Sequence, residues 1–263
     1  MKVGADVRRM LRRYAAQYET ASFLDGDPSW FMHQVEGDAN REAVAFVASC
    51  LSFGSRSLFM PRVQGLLDRA GSDMDSWVRE GRFAADLPRG CTRCFYRFFT
   101  CGCMHDFLAA YRDLLVEHGT LGAYVRREAA GDGFRAVEAI CRRFAPCGAG
   151  VVPKDARSAC KRVCMFLRWM VRSGSPVDLG LWADFIDRRT LVMPLDTHVV
   201  RQSVRLGLLK GSSASMASAR RLTAALAEVF PDDPLRGDFA LFGYGVNHAK
   251  TASRHGMKGD RRL

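Results

Sequence analysis

The sequence lacks any apolar run approaching the ~18 residues that a membrane-spanning helix requires, so no membrane span is expected. It lacks sustained alternation of apolar and polar residues, and no Asn-Gly or Asp-Gly turn joins two β-rich stretches. A sheet-based fold is thereby excluded. There is no internal repeat and no long low-complexity linker. The six histidines show no ligand-like pairing, which removes a histidine metal centre from consideration. The arginine-rich start (Arg8, Arg9, Arg12, Arg13) has no apolar stretch behind it and does not read as a secretory signal. Nine cysteines without such a signal fit reduced thiols and a cytoplasmic setting.

What is present is helical periodicity. Val7, Met10, Leu11, Tyr14 and Tyr18 recur at steps of three and four, as do Val44, Val47, Ala48 and Leu51. Phe107, Leu108, Tyr111, Leu114 and Leu115 form a third stripe, with Gly119 as its stop, and Val137, Ile140, Cys141 and Phe144 a fourth. Further helices are expected over about 159–172, 197–209 and 213–230, with a last one opening near Pro234 and running towards Tyr244. Pro146–Pro153 and Ser173–Pro176 read as loops. The expected fold class is all-α. Residues 248–263 are basic and poor in apolar groups, and read as a flexible tail that either touches phosphate or does nothing.

Lysine and arginine total 39 against 28 acidic residues, a formal net charge of +11. That excess suits a polyanionic partner, because cations that neutralise phosphates release condensed counterions. It suits mere solubility as well.

The chemistry-bearing stretch is Met193–Leu209, MPLDTHVVRQSVRLGLL. Pro194 disfavours helix at the preceding residue, which leaves Asp196 at an N-cap position ahead of Val200, Val204 and Leu208. As a cap, Asp196 accepts hydrogen bonds from the first helical N–H groups and stays ionised. Thirty-five residues upstream, Lys161 lies in the first turn of the segment ACKRVCMFLRWMVR.

Pro194, Asp196, Thr197, His198, Arg201, Arg205, Leu206 and Gly207 together resemble the catalytic-aspartate segment of helix-hairpin-helix DNA glycosylases of the endonuclease III type. With Lys161 at this spacing, the pattern is most similar to archaeal 8-oxoguanine DNA glycosylases. The resemblance spans about 40–247, and its specific part runs from Lys161 to Gly207. The whole chain also resembles a bacterial family with the same RWMVR…PLDTH run.

The resemblance implies a two-lobed helical bundle over residues 1–247 that acts as a glycosylase and AP lyase. Lys161 is then the nucleophile and Asp196 its electrostatic partner. The substrate is double-stranded DNA with a damaged base, an oxidised purine such as 8-oxoguanine, and the protein works as a nucleoid-associated monomer without a cofactor. Trp169 and Trp182 are the candidates to stack on the base. Arg56, Lys154, Arg157, Arg168, Arg172 and Arg201 are the candidates to hold DNA.

Two positions depart from the family pattern. The glycine hairpin before the nucleophile is replaced by Arg157 and Ala159, with Gly148 and Gly150 farther upstream. The DNA-probing glutamine at the end of an early helix has no counterpart, and Gly54, Ser55 and Arg56 stand there instead. These departures leave open a DNA-binding protein of the same fold without the chemistry. A third reading also stays open: Cys91, Cys94, Cys101 and Cys103 have the thiolate count for a structural zinc, which makes a zinc-stapled interaction protein.

Overall fold

The apolar stripe that begins the chain folds as expected into α1 (Ala5–Tyr18), with Leu11, Tyr14 and Ala15 buried. The structure is a computed structural model, and it describes residues 3–211 and 213–245. The expected basic tail, 248–263, lies outside the described residues.

The centre of the core is α2 (Asp38–Leu51), whose residues from Glu42 to Leu51 are all buried. A helix buried all round must be surrounded, and α2 packs on α3 (Arg56–Arg69) and α4 (Met74–Arg79), and on α9 (Lys161–Val171). Between them come α5 (Phe83–Asp86), the strands β1 (Cys94–Tyr96) and β2 (Phe99–Thr100), α6 (Cys101–His118), α7 (Leu121–Ala129) and α8 (Gly133–Phe144). After α9 follow α10 (Thr197–Arg205), α11 (Met216–Ala227) and a helical segment at 236–245.

Phe46 of α2 meets the rings of Phe107 and Tyr111 from α6, Phe144 from α8 and Phe166 from α9, all at 5.0–5.6 Å between centroids. Tilted and edge-on rings at such spacing add to the area they bury. The chain is mostly helical, and no helix among the described residues is long and apolar enough to cross a membrane.

The helix stops follow local chemistry. Gly119 closes α6 at φ 82°, a backbone angle glycine adopts without penalty. Thr100, Thr120, Asp132 and Ser215 cap the helices that follow them through side-chain oxygens. α10 ends at Arg205, short of the expected Leu209, because Gly207 takes φ 69°.

Beside the helices stands one short hairpin: β1 and β2 pair antiparallel, with Tyr96 opposite Phe99. Its turn is Arg97–Phe98, and Arg97 itself takes the left-handed φ of 53°. No glycine or asparagine announces it, so the usual turn signal is missing.

The loop 173–180 folds back beneath α9. The N–H groups of Leu179 and Gly180 donate to Trp169 O, at 2.8 and 3.1 Å. That return places Asp178 under the helix, where it pairs with two arginines described below.

Candidate functional site

Three helix ends converge on one cleft. α2 finishes at Ser52, and its last carbonyls have no helical partner. Lys161 Nζ donates to Ser52 O at 3.4 Å, and Arg162 Nη1 donates to Cys50 O at 2.7 Å. These cations meet the negative end of the α2 dipole. The Arg162 guanidinium also lies over the Phe53 ring, 5.0 Å from its centroid.

α10 enters the same place from its N-terminus. Asp196 is its N-cap in extended backbone, and Oδ1 accepts from Val199 N at 2.8 Å. The other oxygen, Oδ2, stands 4.0 Å from Lys161 Nζ. Asp196 therefore caps with one oxygen and faces the amine with the other. The side chains of Lys161 and Asp196 are 30% and 41% exposed, so a reactant can reach both.

The cleft has a volume of about 540 Å³. Ionisable groups on its wall include Lys161, Asp196, Asp238, Arg168 and Asp27, and apolar groups include Phe23, Phe53, Phe59, Met165 and Phe242. Asp238 accepts from Arg168. Burial raises the Asp238 pKa against the pull of Arg168, and the neighbouring Asp196 charge raises it further. Another cavity of about 430 Å³, between 208–211 and α11, brings together no comparable cluster of ionisable groups.

The expected DNA contacts divide sharply. Lys154, Arg157 and Arg201 are exposed. Arg56 is half-exposed and lines the cleft, held by Asp27 Oδ2 at 3.1 Å and Gly26 O at 3.2 Å.

Arg168 and Arg172 are corrected. Both are buried, at 3% and 2% exposure, because they lie one turn apart on the face of α9 that packs inward. Arg168 holds Asp178 at 3.2 Å and Asp238. Arg172 holds Asp233 at 2.8 Å, Asp178 and Glu19. With their donors committed to carboxylates, neither side chain reaches a phosphate from this arrangement.

Trp169 and Trp182 are corrected as well. Trp169 is fully buried, and Trp182 is 2% exposed with its ring edge-on to Phe166. The Trp182 indole N–H donates to Glu42 Oε2 at 2.9 Å, and the same carboxylate accepts from the N–H groups of Leu121 and Gly122. Neither tryptophan offers a face to a base. The aromatic surface of the cleft comes from Phe23, Phe53 and Phe242, which are all part-exposed.

The four mid-chain cysteines sit around the hairpin without converging. The exposed Cys94 thiol donates to Arg97 O at 3.3 Å, and the Cys103 thiol accepts from Thr100 Oγ1 at 3.3 Å. Among the described residues no group of three or more His, Cys, Asp or Glu is placed to hold a metal ion. The zinc-stapled reading finds no ligand set there.

Asp27 was not expected in the site. Its signal was available, because Asp27-Pro28 is a turn-initiating pair, and here it caps the short helix Pro28–His33. The connection from Ala145 to Cys160, in place of a short glycine hairpin, docks on the start of α11 through Met216 N donating to Arg157 O. Cys160 ends it at φ 44° immediately before Lys161.

A family model described as "Protein of unknown function (DUF2400)" matches residues 27–247, and the chain belongs to that family. The match contains Asp27, the hairpin, Lys161, Asp196 and Asp238. No curated protein and no solved structure matches the chain.

Proposed function

We propose that this protein is a DNA glycosylase with AP-lyase activity that removes an oxidised purine from double-stranded DNA. The observation that carries the reading is the approach of Lys161 Nζ to Asp196 Oδ2, 4.0 Å, in a cleft of about 540 Å³. Pockets for small ligands run to ~300–1,000 Å³, so a single extruded nucleoside suits this one. Extrusion is required because C1′ of a stacked nucleotide is out of reach of an enzyme side chain.

The chemistry follows from the two groups. The Lys161 amine attacks C1′, and the base leaves with the electron pair of the glycosidic bond. The Asp196 carboxylate stabilises the positive charge that develops at the sugar and accepts the proton lost by the amine. The amine-bound sugar opens to a Schiff base. Loss of a C2′ proton then expels the 3′ phosphate. Phe53, Phe23 and Phe242 offer apolar surface to the base, and the part-exposed Asp238, held by Arg168, offers a carboxyl group to its edge.

A second reading rests on the Lys161–Ser52 contact. That hydrogen bond also makes Lys161 a cap on α2, a role consistent with a DNA-binding protein without chemistry. Borohydride reduction in the presence of abasic or 8-oxoguanine duplex separates the two readings. The enzyme gives a covalent adduct that Lys161→Gln abolishes. Duplex binding with no adduct from the unsubstituted protein rejects the lyase and leaves the binding module.

A further inference from the structure

The Lys161 chemistry makes no use of the β1–β2 hairpin. Residues 88–100 read PRGCTRCFYRFFT, with Arg89, Arg93 and Arg97 and no acidic residue. All three arginines are exposed. At the turn Phe98 is 68% exposed, the one aromatic among the exposed large apolar residues described.

This phenylalanine is not on a loose loop. Its neighbours Tyr96 and Phe99 are buried, and the Tyr96 hydroxyl donates to Phe53 O. Phe98 contacts Phe99 and Phe53 at 4.7 and 5.3 Å between ring centroids. The hairpin lies across Gly54, where an added Cβ would meet Arg97 Nη1 at 2.7 Å and Tyr96 Oη at 2.9 Å. Gly54 also takes φ 80°, so the position is doubly suited to glycine. Phe53 and Gly54 are wall residues of the Lys161 cleft. Phe98 therefore stands one aromatic layer from that cleft, braced from behind and open in front.

A single exposed apolar residue is ordinary on a protein surface. A braced one at a cleft rim, with the exposed Arg97 next to it in the turn, is chemically matched to a polyanion whose interior is stacked rings. Apolar side chains that enter duplex DNA unstack a base step, and arginines beside them neutralise the flanking phosphates.

We propose that the hairpin is the element that opens the duplex: Phe98 inserts into the base stack beside the nucleotide drawn towards Lys161, while Arg97, its neighbour in the turn, holds an adjoining phosphate. The Arg97 side chain passes over Gly54, on the wall of the cleft. The proposal rests on the reading of the cleft as a nucleotide site.

The test uses the full chain and a duplex with a tetrahydrofuran abasic analogue flanked by 2-aminopurine, whose fluorescence rises on unstacking. The unsubstituted protein is expected to raise that fluorescence on binding. Phe98→Ala should lose most of the rise and bind about tenfold or more weakly, Phe98→Trp should retain both, and thermal unfolding should be unchanged. An equal rise with Phe98→Ala, or binding without any rise, overturns the hairpin's role. Failure of borohydride trapping on the natural abasic or 8-oxoguanine duplex, alongside a Phe98-dependent rise on the analogue, rejects the lyase chemistry and leaves the hairpin's role standing. Absence of duplex binding rejects both.

Discussion

Lys161 Nζ stands 4.0 Å from Asp196 Oδ2, although the two residues open different helices and lie 35 positions apart in the chain. Neither helix needs the other's side chain to form. α10 is capped by the second oxygen of Asp196, and α9 is held by the burial of Val163 to Val171. A partly exposed pair at this distance contributes ~0–1 kcal/mol, too little to account for bringing two helix starts together. What the approach does provide is an amine and a carboxylate open to the same reactant.

Asp196→Asn separates the two roles of that residue. Asparagine is as good an N-cap as aspartate, so the unfolding midpoint should stay close to that of the unsubstituted protein. Loss of the ionised carboxylate should slow single-turnover adduct formation by ~10²-fold or more. Asp196→Ala should lose both and be destabilised by ~0.5–2 kcal/mol. Unchanged trapping in Asp196→Asn would remove Asp196 from the chemistry.

The arginines of α9 make the opposite prediction. Arg172 is buried against Asp233, Asp178 and Glu19, and these carboxylates hold its pKa up although burial opposes its charge. Arg172→Ala should leave buried carboxylates uncompensated and cost ~3–5 kcal/mol in denaturant unfolding. Arg172→Lys should recover little of it, because an ammonium cannot reproduce the forked donors that engage several carboxylates. A loss under 1 kcal/mol in Arg172→Ala would contradict the network.

The helical stripes and the Asp196 cap were legible because each depends on residues within a turn or two of one another. The hidden elements have specific causes. α3 carries Pro61 in its interior, which masks a helix, and the hairpin turns on Arg97 where a glycine would be the signal. Arg168 and Arg172 read as DNA contacts, since nothing local shows that Glu19, Asp178, Asp233 and Asp238 fold onto them. The same holds for Trp182, whose partner Glu42 lies 140 positions away. The pairing of Lys161 with Asp196 came from family resemblance, and its distance only from the fold.

Salt dependence of duplex binding distinguishes exposed cations from buried ones. Each phosphate contact adds ~0.9 to the slope of log affinity against log salt. Lys154→Ala, Arg157→Ala and Arg201→Ala should each lower that slope by up to about this amount with little effect on stability. Arg56→Ala should change it less, because Asp27 already holds that guanidinium. Slopes identical to that of the unsubstituted protein in all three exposed variants would place the DNA on another face.

Glu42 gives the fold a pH dependence whose sign is fixed by burial. Its carboxylate accepts from Leu121 N, Gly122 N and Trp182 Nε1 at 2.8, 3.1 and 2.9 Å, and these donors favour the ionised form. Burial opposes them more strongly and pushes the group up to about 7 from its ordinary 4.5. The folded state then binds the proton more tightly than the unfolded chain. The contribution of Glu42 is complete below about pH 4.5 and is lost as pH rises through about 7. Asp178 and Asp238 are raised too, whereas Glu19 and Asp187 are lowered, so the total profile mixes both signs. Subtracting the profile of Glu42→Gln isolates the term. Glutamine mimics the protonated acid and does not titrate, so the stability of the unsubstituted protein relative to Glu42→Gln should fall by ~3 kcal/mol between pH 4.5 and 7. A relative stability that rose over that interval would mean that the three N–H donors outweigh burial and that Glu42 is ionised in the folded core.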